Sequence, residues 1–367
     1  MLGPVLKFVD RDYVSYEGKR LLYFGGIDYH RMSNNPIILR TLAEAAFEYG
    51  LSSTGSRTTT GNHPLYLKLE QKVAEFFQTE AAAVFASGYL ANIILLQAVA
   101  QNFDLFLLDK ISHSSIVDAA KQFDKKIVYF EHMNTQSLES ALKKHIKSGS
   151  RPLIMTDGVF PARGEIPPLN EYVEVIQNYD AKILIDDAHA MAVVGETGKG
   201  SWEERGIERD FFYQTGTLSK GFGIFGGIIP AENDLIQKIQ KNSLAFIGST
   251  GLALPLAAAA IKSVSYFLAH RQAIQDLQNR SLRLKEKFRQ IGFDIPQSPA
   301  PIVSITYHDE QKNKGLYDIL IRNGIYPPLI NYPGAPPGGH FRFAITSNHT
   351  DQQIDLLYET VRSSIPE

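Results

Sequence analysis

The stretch Ile183-Leu184-Ile185-Asp186-Asp187-Ala188-His189 combines a short apolar run with two carboxylates and a histidine. A continuous apolar run is typical of a β-strand that is covered on both faces of its sheet. Carboxylates directly after such a strand are costly to bury unless they are paired, so we expect specific partners for them. The stretch therefore predicts an interior strand with functional side chains at its carboxyl end.

Similar apolar runs lie before and after this stretch, with helical patterns between them. They predict strands at residues 82–86, 105–108, 126–130, 153–156, 183–185, 212–215 and 223–229. Helices are predicted between many of the strands, for example over 136–148 and 170–179. This alternation indicates an α/β fold with a large, mostly parallel, doubly wound sheet.

Both ends of the chain predict smaller units. The first two dozen residues indicate a short β ribbon that turns at Glu17-Gly18, and helices begin at Pro36 and Pro64. After residue 255 the pattern predicts a helix over 256–291, a strand over 302–307, a helix near 314–323, a Pro/Gly loop over 332–339, a strand over 341–346 and a helix from Asp351. We expect three parts: an N-terminal ribbon and helix over 1–45, a large domain over 46–250 and a small C-terminal α/β domain over 251–367.

Composition limits the classes of function. The 367 residues carry a formal net charge of -2, with acidic and basic residues mixed along the chain, so we expect no nucleic-acid partner. The absence of Cys excludes disulfides, thiolate nucleophiles and Cys-ligated metals. Residues 1–20 lack the apolar core of a signal peptide, and no apolar run is long enough to span a bilayer. We therefore expect a cytoplasmic protein with no membrane span.

Two clusters that follow predicted strands are each open to two interpretations. Ser87-Gly88-Tyr89 stands between a strand and a helix, where backbone N–H groups and the helix dipole can bind a phosphate, or it is an ordinary turn. His113, four residues after Asp109, can stack on a flat heterocycle, or it caps the helix that follows. Both lie at the carboxyl edge of the sheet, where ligands bind in open α/β folds.

Asp186 and His189 form a third cluster. Asp186 can hold a pyridine nitrogen protonated, because an opposite charge raises the pKa of the base, and a protonated pyridine is an electron sink for carbanions. The alternatives are a metal site and a structural ion pair. Asp186 and Asp187 point to opposite faces of a strand, so they are not expected to ligate one ion together, and we predict no metal.

The fourth cluster is Thr217-Leu218-Ser219-Lys220, followed by Gly221 and Gly226-Gly227. A partly buried lysine loses its proton more easily and is suited to imine formation, and the two hydroxyls can donate to a phosphate. The alternative is a solvated surface lysine. The order and spacing of the four clusters are more specific than any one of them.

These clusters occur together with further motifs near both ends of the chain. The full set is Gly55-Ser56-Arg57, Gly61, Leu69-Glu70, Ser87-Gly88-Tyr89-x-Ala91-Asn92, Asp109-x-x-x-His113, Asp186-Asp187-Ala188-His189, Gly195, Gly198, Gly200, Thr217-Leu218-Ser219-Lys220, Arg342 and His349-Thr350. It resembles the α-oxoamine synthase family of fold-type I pyridoxal-phosphate enzymes over nearly the whole chain. The resemblance implies an acyltransferase that condenses an α-amino acid with an acyl thioester, acyl-CoA or acyl-carrier, and releases CO₂ to give an α-amino ketone.

The resemblance also implies pyridoxal 5'-phosphate as cofactor and a role for each motif. Lys220 would form the Schiff base, Asp186 would pair with the pyridinium nitrogen, His113 would stack on the ring and His189 would reach its phenolic oxygen. Arg342 would bind the amino-acid carboxylate as a bidentate pair. The phosphate would be held by Ser87, Gly88, Tyr89, Thr217 and Ser219, and by Ser249 and Thr250 of the neighbouring subunit. The enzyme would then be a homodimer with shared active sites.

Three positions depart from the family pattern, all on the substrate side. Ile27 stands where the family usually has Asn, and Tyr66, with His63 nearby, stands where it usually has His. The usual Ser-Met-Asp-Gly-Asp segment is Pro161-Ala162-Arg163-Gly164-Glu165. These departures leave two alternatives: another fold-type I reaction, such as that of an aminotransferase or aldolase, and a non-enzymatic sensing or scaffolding module.

Overall fold

In the computed structural model, which describes residues 3–147, 149–331 and 336–365, the chain begins with a three-stranded antiparallel ribbon. Its strands are β1 (Lys7–Phe8), β2 (Tyr13–Tyr16) and β3 (Lys19–Leu22). The turn residues Glu17 and Gly18 have φ values of 49° and 76°. Positive φ at both central residues matches the right-handed twist of a hairpin. The predicted ribbon is confirmed.

Two helices, α1 (Pro36–Tyr49) and α2 (Pro64–Phe77), lead into the main sheet. Each has proline in its first turn, where the missing N–H costs nothing, and a side-chain cap from the preceding residue. Helix α1 ends where Gly50 takes a φ of 74°. Both predicted helix starts are confirmed.

The main sheet has seven strands. They are β4 (Ala81–Phe85), β5 (Leu105–Asp109), β6 (Lys126–Phe130), β7 (Pro152–Asp157), β8 (Lys182–Asp186), β9 (Phe212–Thr217) and β10 (Gly227–Ala231). They lie in the order β4-β10-β9-β8-β7-β5-β6, and β10 runs antiparallel to both of its neighbours. The five strands from β9 to β6 are parallel. The carboxyl ends of β4, β5, β7, β8 and β9 therefore meet at one edge.

Helices cover both faces of this sheet. They are α3 (Ala91–Val99), α4 (Ser114–Ala120), α5 (Thr135–His145), α6 (Leu169–Ile176), α7 (Ser201–Glu204), α8 (Asn233–Asn242), α9 (Leu244–Ile247) and α10 (Leu254–Ala269). Alternate strand residues enter different cores: Leu184 packs with α3 and α4, whereas Ile183 and Ile185 pack with α5 and α6. The predicted doubly wound sheet is confirmed.

A second, smaller sheet lies in the C-terminal part. Its strands are β11 (Ile302–Ile305), β12 (Leu329–Ile330) and β13 (His340–Ala344), in the antiparallel order β11-β13-β12. Its helices are α11 (Gln272–Gln290), α12 (Glu310–Arg322) and α13 (Asp351–Arg362). Leu22, Phe24 and Tyr29 join the core of this unit, so the N-terminal segment connects it to the main sheet.

Two predicted elements are wrong. The strand predicted over 223–229 is β10, which begins only at Gly227, because residues 223–226 fold back on Leu218 through the bonds Ile224 N to Leu218 O and Leu218 N to Gly226 O. The helix predicted over 256–291 is two helices, because His270 leaves the helical region with φ -132° and ψ 53°.

Two other predicted segments fall partly outside the described residues: Ser148 at the end of the helix predicted over 136–148, and residues 332–335 of the Pro/Gly loop. The limits 1–45, 46–250 and 251–367 remain our proposal for the domains. Among the described residues, none of the helices combines the length and apolar character needed to cross a membrane.

Candidate active site

The turns at the carboxyl edge of the main sheet enclose a cavity of about 240 Å³. It is lined by Ser87, Gly88, Tyr89, His113, Ser115, Asp157, Asp186, Ala188, His189, Thr217, Ser219 and Lys220. This set contains every residue of the four strand-end clusters for which the sequence predicts a role. The fold thus brings together segments that are up to 133 positions apart, from Ser87 to Lys220.

Lys220 lies in the turn after β9, with its side chain on the cavity wall. Its Nζ atom makes no hydrogen bond or ion pair with any residue that the structure describes. Burial lowers the pKa of Lys220 to about 8, against the opposing effect of the Asp186 and Asp157 carboxylates. A lysine with this pKa is more often uncharged at neutral pH than an ordinary lysine, and the uncharged amine is the form that attacks a carbonyl carbon.

Asp186 is the last residue of β8, and three donors surround its carboxylate. Asn92 Nδ2 donates to Oδ2 at 2.7 Å, Ser115 Oγ donates to Oδ2 at 3.4 Å, and the backbone N of Ala188 donates to Oδ1 at 3.0 Å. Such donors favour the ionised form of a buried carboxyl. Asp187 points away from the cavity and accepts from Ser201 Oγ at 2.6 Å and Gln214 Nε2 at 2.7 Å. Asp186 therefore faces the cavity, whereas Asp187 binds side chains on the other side of the strand.

His113 caps the helix that follows it and also lies on the cavity wall, so its stacking on a heterocycle stays a prediction. It is the N-cap of α4, where Nδ1 accepts from the backbone N of Ser115 at 3.2 Å, and its ring lines the cavity. Burial lowers the pKa of His113, although the Asp186 charge opposes this effect. The cavity therefore has a neutral, flat imidazole on one wall, held in place by the helix that it caps.

His189 is oriented by a chain of hydrogen bonds. Arg342 Nη2 donates to Tyr29 Oη at 3.2 Å, and Tyr29 Oη lies 2.8 Å from His189 Nδ1. Because arginine can only donate, the tyrosine proton is free to go to Nδ1. Burial, with the charges of Lys220 and Arg342, lowers the pKa of His189 well below its ordinary value. A neutral His189 in this tautomer has its remaining N–H on Nε2, available to an acceptor.

Two turns lie against each other at one end of the cavity. A Cβ at Gly88 would come within 2.5 Å of Thr217 Cβ, so this contact requires glycine. Thr217 Oγ1 donates to Gly226 O at 2.6 Å and accepts from Ser219 N at 3.0 Å. Tyr89 Oη donates to Asp118 Oδ2 at 2.5 Å. The Ser87-Gly88-Tyr89 turn before α3 and the Thr217-to-Lys220 turn thus meet at one end of the cavity, a place suited to an anion.

Arg342 projects from β13 of the smaller sheet toward this edge. Its Nε donates to Pro161 O at 2.5 Å and its Nη1 donates to Gly26 O at 3.1 Å, in addition to the Nη2 bond to Tyr29. A guanidinium has five N–H donors, so one N–H remains on each terminal nitrogen. Two N–H groups are the number that a bidentate bond to a carboxylate requires.

Ser249 and Thr250 lie outside the cavity of their own chain. Thr250 forms an isolated antiparallel bridge with Ser56, and Ser249 Oγ lies 3.5 Å from Phe246 O. Neither residue lines the cavity of its own chain, so their phosphate contacts with a neighbouring subunit stay a prediction.

The comparisons with known proteins agree on one family. A sequence model described as aminotransferase class I and II matches residues 22–361. The 8-amino-7-oxononanoate synthase 1 of Bacillus velezensis is 32% identical over 357 residues, covering 96% of this chain and 90% of that relative. The 8-amino-7-oxononanoate synthase of Alkaliphilus metalliredigens is 31% identical and covers 98% and 91%. The chain belongs to the α-oxoamine synthase family.

Solved structures have the same fold as this α-oxoamine synthase. The serine palmitoyltransferase of Sphingomonas wittichii matches with a TM-score of 0.90 at 28% identity, covering 98% of this chain and 90% of that one. The serine palmitoyltransferase of S. paucimobilis, solved with PLP and myriocin bound, matches with a TM-score of 0.90 at 25% identity, covering 99% and 92%. The prediction of a fold-type I pyridoxal-phosphate enzyme is confirmed.

The cavity of this α-oxoamine synthase fits its cofactor, pyridoxal phosphate. An unpaired lysine amine, a carboxylate fixed by three donors and a neutral imidazole line one space, and the hydroxyl-rich turns lie at one end. These groups match an aldehyde, a pyridine nitrogen, an aromatic face and a phosphate. None of the described residues form a group of three or more His, Asp or Glu side chains placed to hold a metal ion.

Sequence reasoning gave no role to three groups of the site: Asp157, Ser115 and Asn92, of which only Asn92 stands in a quoted motif. Asp157 ends β7 as Asp186 ends β8, and the predicted strand stopped one residue short of it, at Thr156. An acid directly after an apolar strand was the available signal. Asn92 and Ser115 lie on the helices α3 and α4, and no local pattern marks them as partners of Asp186.

The three departures from the family pattern lie in different surroundings. Ile27 is 40% exposed beside Gly26, which holds Arg342. Tyr66 is fully buried, and its Oη donates to Leu252 O at 2.5 Å. The carbonyl of Pro161 accepts from Arg342. Two of the three departures, Ile27 and Pro161, therefore lie at or next to a carbonyl that binds Arg342. None of the three lines the cavity that contains Lys220.

Proposed function

We propose that this α-oxoamine synthase joins an α-amino acid to an acyl thioester and releases CO₂, giving an α-amino ketone. The observation that carries the proposal is the unpaired Lys220 amine in one cavity with Asp186, His113 and His189. The relatives support it, because they are named 8-amino-7-oxononanoate synthases and serine palmitoyltransferases. They do not favour the alternatives of an aminotransferase or aldolase.

Each residue that lines the cofactor cavity has a different role in the proposed reaction. Pyridoxal phosphate, when bound, supplies an electron sink for the carbanion formed at the substrate Cα. The Asp186 carboxylate keeps a proton on the pyridine nitrogen, and Asn92, Ser115 and the Ala188 N–H hold that carboxylate in place. His113 would lie against the ring face, and His189 would donate its Nε2–H to the phenolic oxygen. Lys220, once freed as an amine, accepts the Cα proton as general base.

The phosphate is assigned to the two turns that meet at Gly88 and Thr217. Ser87, Tyr89 and Ser219 surround the same end of the cavity. The Gly88 N–H in the turn before α3 and the Ser219 hydroxyl are suited to donate to phosphate oxygens, and Thr217 lies beside them with its own proton on Gly226 O. Arg342 binds the amino-acid carboxylate with its two remaining N–H groups, because its other three are fixed by Pro161, Gly26 and Tyr29.

A homodimer with shared active sites would let Ser249 and Thr250 of one subunit bind the phosphate in the cavity of the other. They lie outside their own cavity, and the surface around α1 is rich in exposed apolar side chains, such as Ile37, Phe47 and Leu51. Phe47 is 94% exposed. A second copy of the chain that covers this surface would bury it and complete the phosphate site. A cytoplasmic location and the absence of a nucleic-acid partner remain predictions.

The decisive experiment is a substrate panel on the purified protein loaded with pyridoxal phosphate. Thiol release from an acyl-CoA or acyl-carrier thioester that requires an amino acid is the expected result. Keto-acid formation without any thioester would identify an aminotransferase instead. A protein that binds the cofactor but turns over no member of a broad panel would support the sensing or scaffolding alternative.

The shared site is tested by mixing two inactive variants. Lys220→Ala removes the cavity lysine, and Thr250→Trp blocks the contact with the neighbouring subunit. If the sites are shared, a mixed dimer has one cavity with both defects and one cavity with neither, so activity returns on mixing. Mixtures that stay inactive although mass measurement shows mixed dimers would contradict the shared site.

A further inference from the structure

A second carboxyl group lies beside Asp186 in the cofactor cavity. Asp157 ends β7, and it pairs in register with Asp186, the last residue of β8. The two strands are hydrogen-bonded neighbours, so their backbones are about 4.8 Å apart. Asp157 is 3% exposed and lines the same cavity as Lys220.

The two carboxyls differ in the number of donors around them. Asp186 accepts from Asn92, Ser115 and the Ala188 N–H. Asp157 accepts one hydrogen bond, from the backbone N of His113 to Oδ2 at 2.8 Å. Its Oδ1 has no hydrogen-bond partner among the residues that the structure describes, and none of them forms an ion pair with it.

Two carboxyls side by side in a buried cavity do not both ionise. Three donors reach the carboxyl of Asp186 and only one reaches that of Asp157, so Asp157 is the better place for a shared proton. The charged groups that face Asp157 are Asp186 on β8, Asp109 on β5 and Lys220 after β9. Burial raises the pKa of Asp157 well above its usual value, and the Asp186 charge adds to this effect while Lys220 opposes it.

We propose that Asp157 is a further binding residue of the site and that it works in its neutral form. One oxygen holds the backbone of His113, and the carboxyl O–H donates a hydrogen bond to an acceptor oxygen of the bound cofactor or of the amino-acid substrate. The inference deepens the proposed function and rests on it. It assigns the site two acids in opposite states: an anion at the pyridine nitrogen and an uncharged donor beside the lysine.

The test compares Asp157→Asn with Asp157→Ala. Asparagine is uncharged, keeps an acceptor for the His113 N–H and keeps a donor for the cavity, whereas alanine keeps neither. The measurements are the Kd of the apo-protein for pyridoxal phosphate, the KM for the amino acid, and the pH midpoint of the visible absorbance of lysine-bound cofactor. We expect the Asn variant to stay within about threefold of wild type with an unmoved midpoint, and the Ala variant to lose about tenfold, as for one buried hydrogen bond.

The cofactor Kd and the amino-acid KM together show which molecule carries the acceptor oxygen. A loss in the cofactor Kd of the Ala variant places the acceptor on the cofactor, and a loss confined to the amino-acid KM places it on the substrate. An Asn variant as impaired as Ala, with a lowered midpoint, would overturn the inference, because it would show that an anion is needed at this position. An Ala variant equal to wild type in every measurement would also overturn it.

Asp187→Asn is the matched control, because Asp187 is equally buried but faces Ser201 and Gln214. It should lower the melting temperature and leave the Kd and the midpoint unchanged. If the Ala variant does not fold, the midpoint of the Asn variant alone decides between a neutral and an anionic Asp157. A wild-type chain that takes up no pyridoxal phosphate would overturn the proposed function together with this inference. Normal uptake by the wild type, with an Ala variant that is unaffected, would overturn the inference alone.

Discussion

The Lys220 cavity and the surroundings of Arg342 are built in different ways. The cavity side chains leave the ends of parallel strands and satisfy one another directly, as Asn92 and Ser115 do for Asp186. Arg342 comes from the smaller sheet and is held mainly by the backbone carbonyls of Gly26 and Pro161, which belong to two distant segments. Backbone carbonyls accept a hydrogen bond whatever side chain their residue carries.

This difference explains where the chain departs from its family. Ile27 and the segment from Pro161 to Glu165 can change without removing an acceptor of Arg342, since the carbonyls remain. A change at Asp186 or Lys220 removes the reacting group itself. The cofactor edge is therefore fixed by chemistry, and the arginine edge is free to adapt to a different substrate.

The largest expected effect is on the cavity side, at Lys220. Lys220→Ala should abolish the visible absorbance of lysine-bound cofactor and lower turnover by about 10²- to 10⁴-fold, because the general base is lost. Absorbance titration with pyridoxal phosphate and a thiol-release assay measure both effects. Lys285→Met is the control: Lys285 is fully buried, but its Nζ donates to Ser298 O at 2.9 Å, away from the cavity. An absorbance band that survives in the Lys220 variant would contradict the assignment.

The next effect should arise at Asp186. Asp186→Asn should lower kcat by about 10²- to 10³-fold while cofactor uptake persists, because a neutral amide does not keep the pyridine nitrogen protonated. Steady-state kinetics with saturating amino acid measure the loss. Asp109→Asn is the control on the same sheet edge, since Asp109 is buried but bonds to His132 and the backbone outside the cavity. An equal fall in kcat in Asp186→Asn and Asp109→Asn would contradict a specific role for Asp186, because it would show that removing either buried acid at this edge has the same effect.

The sequence predicts the cofactor edge because its signals are local. Apolar runs mark the strands and the reacting residues come directly after them, so local signals nominate Asp186 and Lys220, and the order of the clusters together with the family resemblance gives them their roles. Asp157 has the same signal and was missed only because the predicted strand ended at Thr156. The start of β10 was wrong because its register depends on pairing with β4 and β9, which no local pattern encodes. The bonds of Arg342 to carbonyls leave no side-chain signature at all.

On the arginine side we expect an effect on substrate binding alone. Arg342→Lys should raise the KM for the amino acid about tenfold to hundredfold, because a lysine cannot form the bidentate pair and one charged hydrogen bond contributes about 1.5–3 kcal/mol. Cofactor absorbance should not change. Arg163→Gln is the control from the adjoining turn, where the arginine bonds to Asp294 at 2.7 Å on the surface, and it should have little effect. A loss of cofactor binding in Arg342→Lys would contradict the separation of the two edges.

The smallest expected effect is on stability, beneath the turn that holds Arg342. Lys285 donates to Ser298, whose hydroxyl in turn bonds to Gly164 O of that turn. Burial lowers the pKa of Lys285 to about 7 from an ordinary 10.5. Between these pH values the unfolded chain binds more protons than the folded one, so this residue makes stability rise with pH from about 7 toward 10.5 and lowers it as pH falls to 7. The melting temperature of wild type relative to that of Lys285→Met should therefore rise by a few degrees as pH rises through this range, because methionine does not titrate. A pH-independent difference would mean that Lys285 is charged in the folded protein, and that the turn is anchored by a buried ammonium group.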